Sequence, residues 1–585
     1  MKYQLNRTEK SERKTSISMA LRGLVPFLSG ERRNMIISFS AILVTSVTTL
    51  VAPLIIGHTV DSYIQTRDYR GVLLFSGLLL AVYVVGLISS YLQTKLMGGV
   101  GRRVLFNLRN AVFDKLQSLP VAFFNQNKAG DLISRINNDT DQLNQFFSQA
   151  LMQFVRNFFL ILGAGIFLVV LNVHLGSAAL IPAVGVLIIT RLLSGFVKRA
   201  NLKSLQSLGG LSAEIQESIN NFKVVVAFNR LDYFKQKFSE ANQKNFRSGI
   251  GAGLANNIFT PVYGLASNAG MLIVLAYGIY LISIGQLTVG LLIGFLLYAN
   301  SFYGPLQQLA SVWPSLQQAL AGFDRISEVL SLESDMQVIA EEDATSPTLL
   351  EFRNVSFGYP DGKEILRNIN LKLEKGKTYA LVGPTGGGKT TTASLMARLY
   401  DPTKGTILLN GRDIRTYDPA ERTMKIGFIL QEPFLFSGTV RENIIYGNDA
   451  YKGHSNDELL SVLEKARLSA LLARFESGLD TVIRAGGDAI SLGQKQLIAF
   501  IRAVLRKPEL LILDEATANI DTVTEQLLED ILENLPPETT KVIIAHRLNT
   551  IDSADAICFV NGGEIVLAGS MEHAVDMLMH GKRQS

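Results

Sequence analysis

Apolar residues crowd into the first part of this 585-residue chain in long runs, and the remainder is charged and mixed. The runs cover 35–57, 71–92, 151–171, 175–197, 258–282 and 288–306. Each comes close to the ~20 residues that a helix needs to cross bilayer hydrocarbon, so six membrane-spanning helices are predicted. The links between them are of two kinds. Residues 58–70, 172–174 and 283–287 are short, whereas 95–150 and 198–257 are long and mostly helix-like, with Leu105, Leu108, Val112 and Leu116 recurring at helical steps. That spacing predicts helices that run on far past the membrane and need neighbours to pack against. The pattern breaks at Pro120, followed by Phe123, Phe124 and an Asn/Gly-rich turn to Asp131, and again in the apolar, amide-rich stretch 215–228.

Charge gives the direction of crossing. The long links carry Arg102, Arg103, Arg109, Lys115, Lys128 and Arg135, then Lys198, Arg199, Lys203 and Lys223; the short links hold only Arg67 and Arg70, balanced by Asp61 and Asp68. Lys and Arg concentrate on the cytoplasmic side, so both long links, the polar, basic lead-in 1–32 and everything after the sixth run are expected inside. The formal net charge of +5 is therefore a topology signal. Its bases flank apolar runs and form no aromatic-interleaved patch, so no nucleic acid is expected as partner.

A single cysteine, Cys558, excludes a disulfide framework and a cysteine-rich metal site. No Asp or Glu lies in any of the six runs, where an ion-driven carrier commonly keeps an ionisable relay. Energy is expected from the soluble part instead. Arg191, toward the inner end of the fourth run, either snorkels to the interface or meets an anionic substrate or lipid headgroup. The predicted division is a lead-in 1–32, a membrane domain 33–325, a charged connector 326–348 and one large soluble domain 349–585.

The soluble part carries the chemistry. The apolar strand 379–382 runs into Gly383, Pro384, Thr385, Gly386, Gly387, Gly388, Lys389 and Thr390, and a helix-compatible stretch opens at Thr391. This is a complete P-loop in its strand–loop–helix setting. The glycines let backbone N–H groups close around phosphates, the helix N-terminus favours their charge, and Lys389 reaches the outer phosphates. The Thr390 hydroxyl is expected to ligate Mg²⁺. Downstream, the buried-strand run 510–513 ends in Asp514 and Glu515. Asp514 suits Mg²⁺ binding through water and Glu515 suits orientation of the attacking water. His546 follows the strand 542–545 and is expected beside the γ-phosphate.

The order of these motifs resembles the nucleotide-binding domain of ABC transporters, and six spans ahead of it resemble the exporter half-transporters of that superfamily. The resemblance covers essentially the whole chain. It implies an all-α membrane domain of six transmembrane helices with long cytoplasmic extensions, fused to a mixed α/β P-loop ABC ATPase domain. It also implies ATP and Mg²⁺ as ligands and the bacterial cytoplasmic membrane as location. By that likeness Tyr359 stacks on adenine, Gln431 links Mg²⁺ and attacking water to the membrane domain, Asp521 lies in the loop that crosses between two heads, and His546 is the switch histidine. The breaks at 120–131 and 215–228 resemble coupling helices.

The signature loop departs from the family. Where the family reads Leu-Ser-Gly-Gly-Gln, this chain has Ile490, Ser491, Leu492, Gly493 and Gln494. Ser491, Gly493 and Gln494 are expected to meet the γ-phosphate held in the opposite subunit's P-loop, but Leu492 adds four side-chain carbons at a close backbone approach. Leu497 stands where arginine is common and Ala485 where exporters commonly have glutamate. The resemblance therefore implies a heterodimer: the partner, a different half-transporter with an intact signature and a degenerate catalytic glutamate, completes a strong site over this chain's P-loop. A homodimer remains the alternative. Hydrophobic or amphipathic compounds, drugs or lipids, are the expected cargo, with membrane lipids around the spans. A regulated channel, a soluble nucleic-acid-maintenance ATPase or a peptide exporter with a processing peptidase fits the pattern less well, and peptide transport without processing stays open.

Overall fold

The structure is a computed structural model that describes residues 3–5, 17–340, 348–360, 362–484, 490–514, 522–544, 554–567 and 573. Its contacts divide the chain into two compact units, one of 6–117 and 129–331, the other of 1–5, 118–128 and 332–585.

The first unit is helical. Among the described residues, six helical stretches are long and apolar enough to span a membrane: Gly23–Ile64, Tyr69–Gln117, Ala129–Leu171, Val173–Asn220, Leu231–Ser283 and Val289–Leu330. The second of these is a continuous helix of 49 residues, about 74 Å at 1.5 Å per residue against ~30 Å of hydrocarbon. The expected extensions are therefore present. The helix Ile17–Leu28, which overlaps the start of the first stretch, occupies part of the expected polar lead-in. The stretch 215–228 is not one break: the fourth helix continues through Asn220, and a short helix, Phe222–Ala227, follows.

The first span packs against the second, third and sixth, and the fourth against the fifth. Gly57 and Gly290 let the first and sixth approach closely, since a Cβ built on Gly290 would lie 2.1 Å from the Gly57 carbonyl oxygen. Asp61, read from the sequence as a balancing loop charge, accepts from the Thr288 hydroxyl (2.5 Å) and the Gly290 N–H (2.7 Å) at the start of the sixth helix. A carboxylate there satisfies end groups that lack an intrahelical partner and favours the helix dipole. Below the apolar section, Asp139 receives the Arg325 guanidinium at 2.7 and 2.5 Å. Beside it, Arg135 donates to Glu328 (2.8 Å) and to the Arg325 carbonyl (2.6 Å). These pairs bind the start of the third stretch to the end of the sixth helix, which runs on to Leu330, into the stretch expected as connector, with Ile326 and Val329 buried.

The second unit holds two larger sheets. An antiparallel sheet combines Thr348–Gly358 and Glu364–Glu374 with Lys404–Leu409 and Arg412–Asp413. The other sheet has Ile426–Ile429, Leu510–Asp514, Thr540–Ile544, Thr378–Val382 and Ala556–Asn561 side by side in parallel, with Glu564–Leu567 antiparallel on the edge. Its four central parallel strands are almost entirely buried, as uninterrupted apolar runs require when both faces are covered. A helical layer that includes Asn456–Lys465 and Leu492–Val504 encloses its own apolar core around Leu459, Leu463, Ile498 and Ile501. The short helix Val121–Gln126, which the sequence division assigned to the membrane domain, clusters with this unit.

Candidate active site

Parallel strands deliver their carboxyl ends to one edge, and a ligand is expected there. Thr378–Val382 leads directly into the Gly383–Gly388 loop and the eight-residue helix Lys389–Met396. Gly383 has φ +144°, and a Cβ there would lie 2.1 Å from the Val560 carbonyl oxygen, so only glycine lets the loop turn off the sheet. Gly388, at φ +115°, caps the helix. Lys389 is buried, and its ammonium donates to the carbonyls of Gly383 (2.8 Å) and Pro384 (3.1 Å). The same ammonium that braces the loop is the positive charge available to phosphates beside the helix N-terminus.

The registers bring two more sequence-predicted residues to this edge. Ile544 lies opposite both Leu381 and Asp514 in its two parallel ladders, and Ile429 lies opposite Leu513. Asp514, only 3% exposed, and Gln431, exposed just past Ile429, thus share the end of the sheet with the P-loop. Thr390 is exposed in the first helical turn, while Thr391 is buried. Glu515, Asp521, His546 and Ala485 lie outside the described residues.

Tyr359 is half-buried, its ring edge-on to Phe357 (5.0 Å) and Tyr400 (5.4 Å), its hydroxyl 3.3 Å from the Thr391 hydroxyl. Two edge contacts steady the ring, which sits next to the P-loop helix as a nucleobase platform would. Sequence reasoning missed Tyr400 and Asn125. The Asn125 amide donates to the Tyr400 hydroxyl at 2.6 Å, and burial raises the Tyr400 phenol above its ordinary pKa. The contact spans 275 residues, which no local pattern reveals.

Ser491 begins the helix Leu492–Val504 with a capping box: its hydroxyl accepts from the Gln494 N–H (3.2 Å), and the Gln494 side chain accepts from the Ser491 N–H (2.9 Å). The Gln494 amide also donates to the Arg474 carbonyl (2.7 Å). Gly493 follows Leu492 in the first turn, where N–H groups lack intrahelical acceptors. Leu492 is the first residue of the helix and is 38% exposed. Leu497 is buried in the helical core, where a leucine packs without the polar partners that arginine needs. In the spans, Tyr298 and Tyr303 are buried and donate to the carbonyls of Leu50 and Ala179, so both serve packing.

Two families match the two parts of the chain. Residues 35–306 match the ABC transporter transmembrane region and residues 366–518 the ABC transporter family. The uncharacterized ABC transporter ATP-binding protein YfiC of Bacillus subtilis (strain 168) is 33% identical over 95% of this chain and 92% of its own length. This chain belongs to the ABC transporters. The transporter is also similar to the fatty acid ABC transporter ATP-binding/permease protein of Mycobacterium bovis, 32% identical over 86% of this chain and 80% of that protein. A third relative is the multidrug resistance ABC transporter ATP-binding and permease protein of Lactococcus lactis subsp. lactis, 31% identical over 85% and 84%. The transporter is a multi-pass half-transporter, with a membrane domain fused to an ATPase, and it binds ATP and couples its hydrolysis to transport.

The edge residues also fit Mg²⁺. The Thr390 hydroxyl, Asp514 carboxylate and Gln431 amide supply oxygen donors, the kind that a hard cation takes. Mg²⁺ bound there would neutralise charge on the phosphates.

Proposed function

We propose that the transporter is the catalytic-glutamate-bearing half of a heterodimeric exporter that moves hydrophobic or amphipathic compounds, drugs or lipids, across the bacterial cytoplasmic membrane. Its division follows the sequence reading, with the membrane domain at 33–325, the connector at 326–348 and the ATPase at 349–585. The names of relatives that act on fatty acids and in multidrug resistance support the class of cargo.

The carrying observation is Leu492. It opens the helix whose N-terminus the family directs at a partner's γ-phosphate, and its side chain is 38% exposed. A leucine at that approach holds phosphate away from the N–H groups of the first turn, while Ser491 and Gln494 keep the helix start intact through their capping box. The defect thus weakens the site over the partner's P-loop and leaves this chain's own P-loop to be completed by the partner. In the strong site, Lys389, the loop N–H groups and Tyr359 bind ATP, Thr390, Asp514 and Gln431 hold Mg²⁺, and Glu515 and His546 position water. Asp521 lies at the crossing between heads.

The test is purification of the native complex from membranes, identification of the second subunit, and ATPase and vesicle uptake assays with a lipophilic dye and a fluorescent fatty acid. Glu515→Gln in this chain should preserve ATP binding and nearly abolish turnover. A fully active complex containing this chain alone would overturn the heterodimer, and undiminished ATPase in the Glu515→Gln complex would overturn the assignment of the strong site.

A further inference from the structure

The short helix Val121–Gln126 touches the nucleotide side of its unit through Asn125 and Tyr400. Residues 3–5 hold it from another direction. The Tyr3 N–H donates to the Gln126 side-chain oxygen (2.9 Å), the Asn127 amide donates to the Tyr3 carbonyl (2.9 Å), and the Leu5 N–H donates to the Asn127 side-chain oxygen (3.0 Å). Two amide side chains thus serve the backbone of residues 3–5 as a neighbouring strand would. The Tyr3 ring lies edge-on to Phe123 at 6.3 Å. Its hydroxyl donates to the Asp335 carboxylate at 2.6 Å and accepts from the Asp335 N–H at 2.9 Å. Burial, and then the bond to Asp335, push the phenol up to about 12, so it stays a neutral donor.

Tyr3 is 2% exposed and Leu5 7%. Among the described residues, the hydrogen bonds of residues 3–5 end on the helix 121–126, on the turn that follows it or on the connector. The connector is itself fixed to the ATPase: the Arg398 guanidinium donates to the Gln337 carbonyl (2.9 Å) and the Ile339 N–H to the Arg415 carbonyl (3.1 Å). All of these groups belong to one compact unit.

We propose that residues 3–5 form a strap that positions the helix Val121–Gln126 on the ATPase, with Tyr3 as the positioning residue, so that occupancy of the Tyr359 platform reaches the link between the second and third spans. The path runs from Thr391 and Tyr359 through the Tyr400 ring and hydroxyl to Asn125, and the strap keeps Asn125 in place against it. The proposal rests on the reading of Tyr359 as the nucleobase platform.

Hydrogen exchange on the full-length complex in nanodiscs, with and without Mg²⁺ and adenylyl imidodiphosphate, tests this. In the parent, the nucleotide analogue should slow exchange in the P-loop and in 121–126 together. In Tyr3→Ala, exchange of 121–126 should rise about tenfold and lose its response to the analogue, while P-loop protection is unchanged. Tyr3→Phe, which keeps the ring and backbone contacts but not the Asp335 bond, should fall between. A Tyr3→Cys, Gln126→Cys pair should respond to the analogue when oxidised and not when reduced; Cys558 is buried and stays out of the exchange. A parental response of 121–126 in Tyr3→Ala, or the same response in the reduced and oxidised pair, would overturn the strap. If Tyr3→Ala does not fold, the cysteine pair carries the comparison alone. Absence of P-loop protection in the parent would instead count against the nucleotide site.

Discussion

Replacing Tyr359 by alanine separates nucleobase binding from phosphate binding. The ring stands nearly perpendicular to Phe357 at 5.0 Å and to Tyr400 at 5.4 Å. Stacking of a base on an aromatic ring contributes about 1–3 kcal/mol, so Tyr359→Ala should weaken ATP binding about 5- to 150-fold. Each edge-to-face pair contributes about 0.5–1.5 kcal/mol when enclosed. For a half-exposed ring the lower end applies, and the ATPase should lose about 1 kcal/mol of stability, about 2–4 °C in its unfolding midpoint. Tyr359→Phe keeps the face and both edge contacts and gives up only the long 3.3 Å approach to Thr391, so both measurements should stay near the parent. Binding is read by displacement of a fluorescent nucleotide, with ATP and inorganic tripolyphosphate as competitors. Tripolyphosphate, which has no base, should bind the parent and Tyr359→Ala equally. ATP affinity within twofold of the parent, or an equal loss for tripolyphosphate, would refute the assignment.

Asp139→Ala should destabilise the helical unit by about 3–5 kcal/mol, because it strands the Arg325 guanidinium in a largely buried pair; Asp139→Ala with Arg325→Met should recover most of the loss in denaturant unfolding of the solubilised chain. Gly383→Ala forces a side chain into φ +144° and against the Val560 carbonyl, a strain of at least about 2 kcal/mol, and ATP binding should fall about 30-fold or more by the same displacement assay. Cys558 is fully buried, and burial pushes its thiol up to about 12. Its unfolded value is about 8.5, so the folded state holds the proton longer. Stability from this group is complete below about pH 8.5 and declines as pH rises from there toward about 12. Cys558→Ala should flatten the slope of unfolding free energy between about pH 8.5 and 10.5, and native protein should resist maleimide labelling until it unfolds.

The sequence alone determined the parts whose physics is local. Twenty apolar residues in a row specify a span whatever surrounds them, and Gly383 to Thr390 specify a phosphate loop because spacing and residue type alone set its backbone. The charges of the links give an expected direction of crossing on equally local grounds. The departure at Leu492 was also legible as a residue, and the structure added that it opens a helix whose capping box is complete. What the chain does at a distance was not legible. Asp61 reads as a loop charge until the fold sets it over the start of the sixth helix. Asp139 and Arg325 stand 186 positions apart, Asn125 and Tyr400 275 apart, and Tyr3 and Asp335 332 apart. Hydrogen bonds and ion pairs act over a few ångströms, so which distant residues come within reach is decided by packing, and only the tertiary structure turns Tyr3 into a tie between the connector and the helix whose Asn125 meets Tyr400.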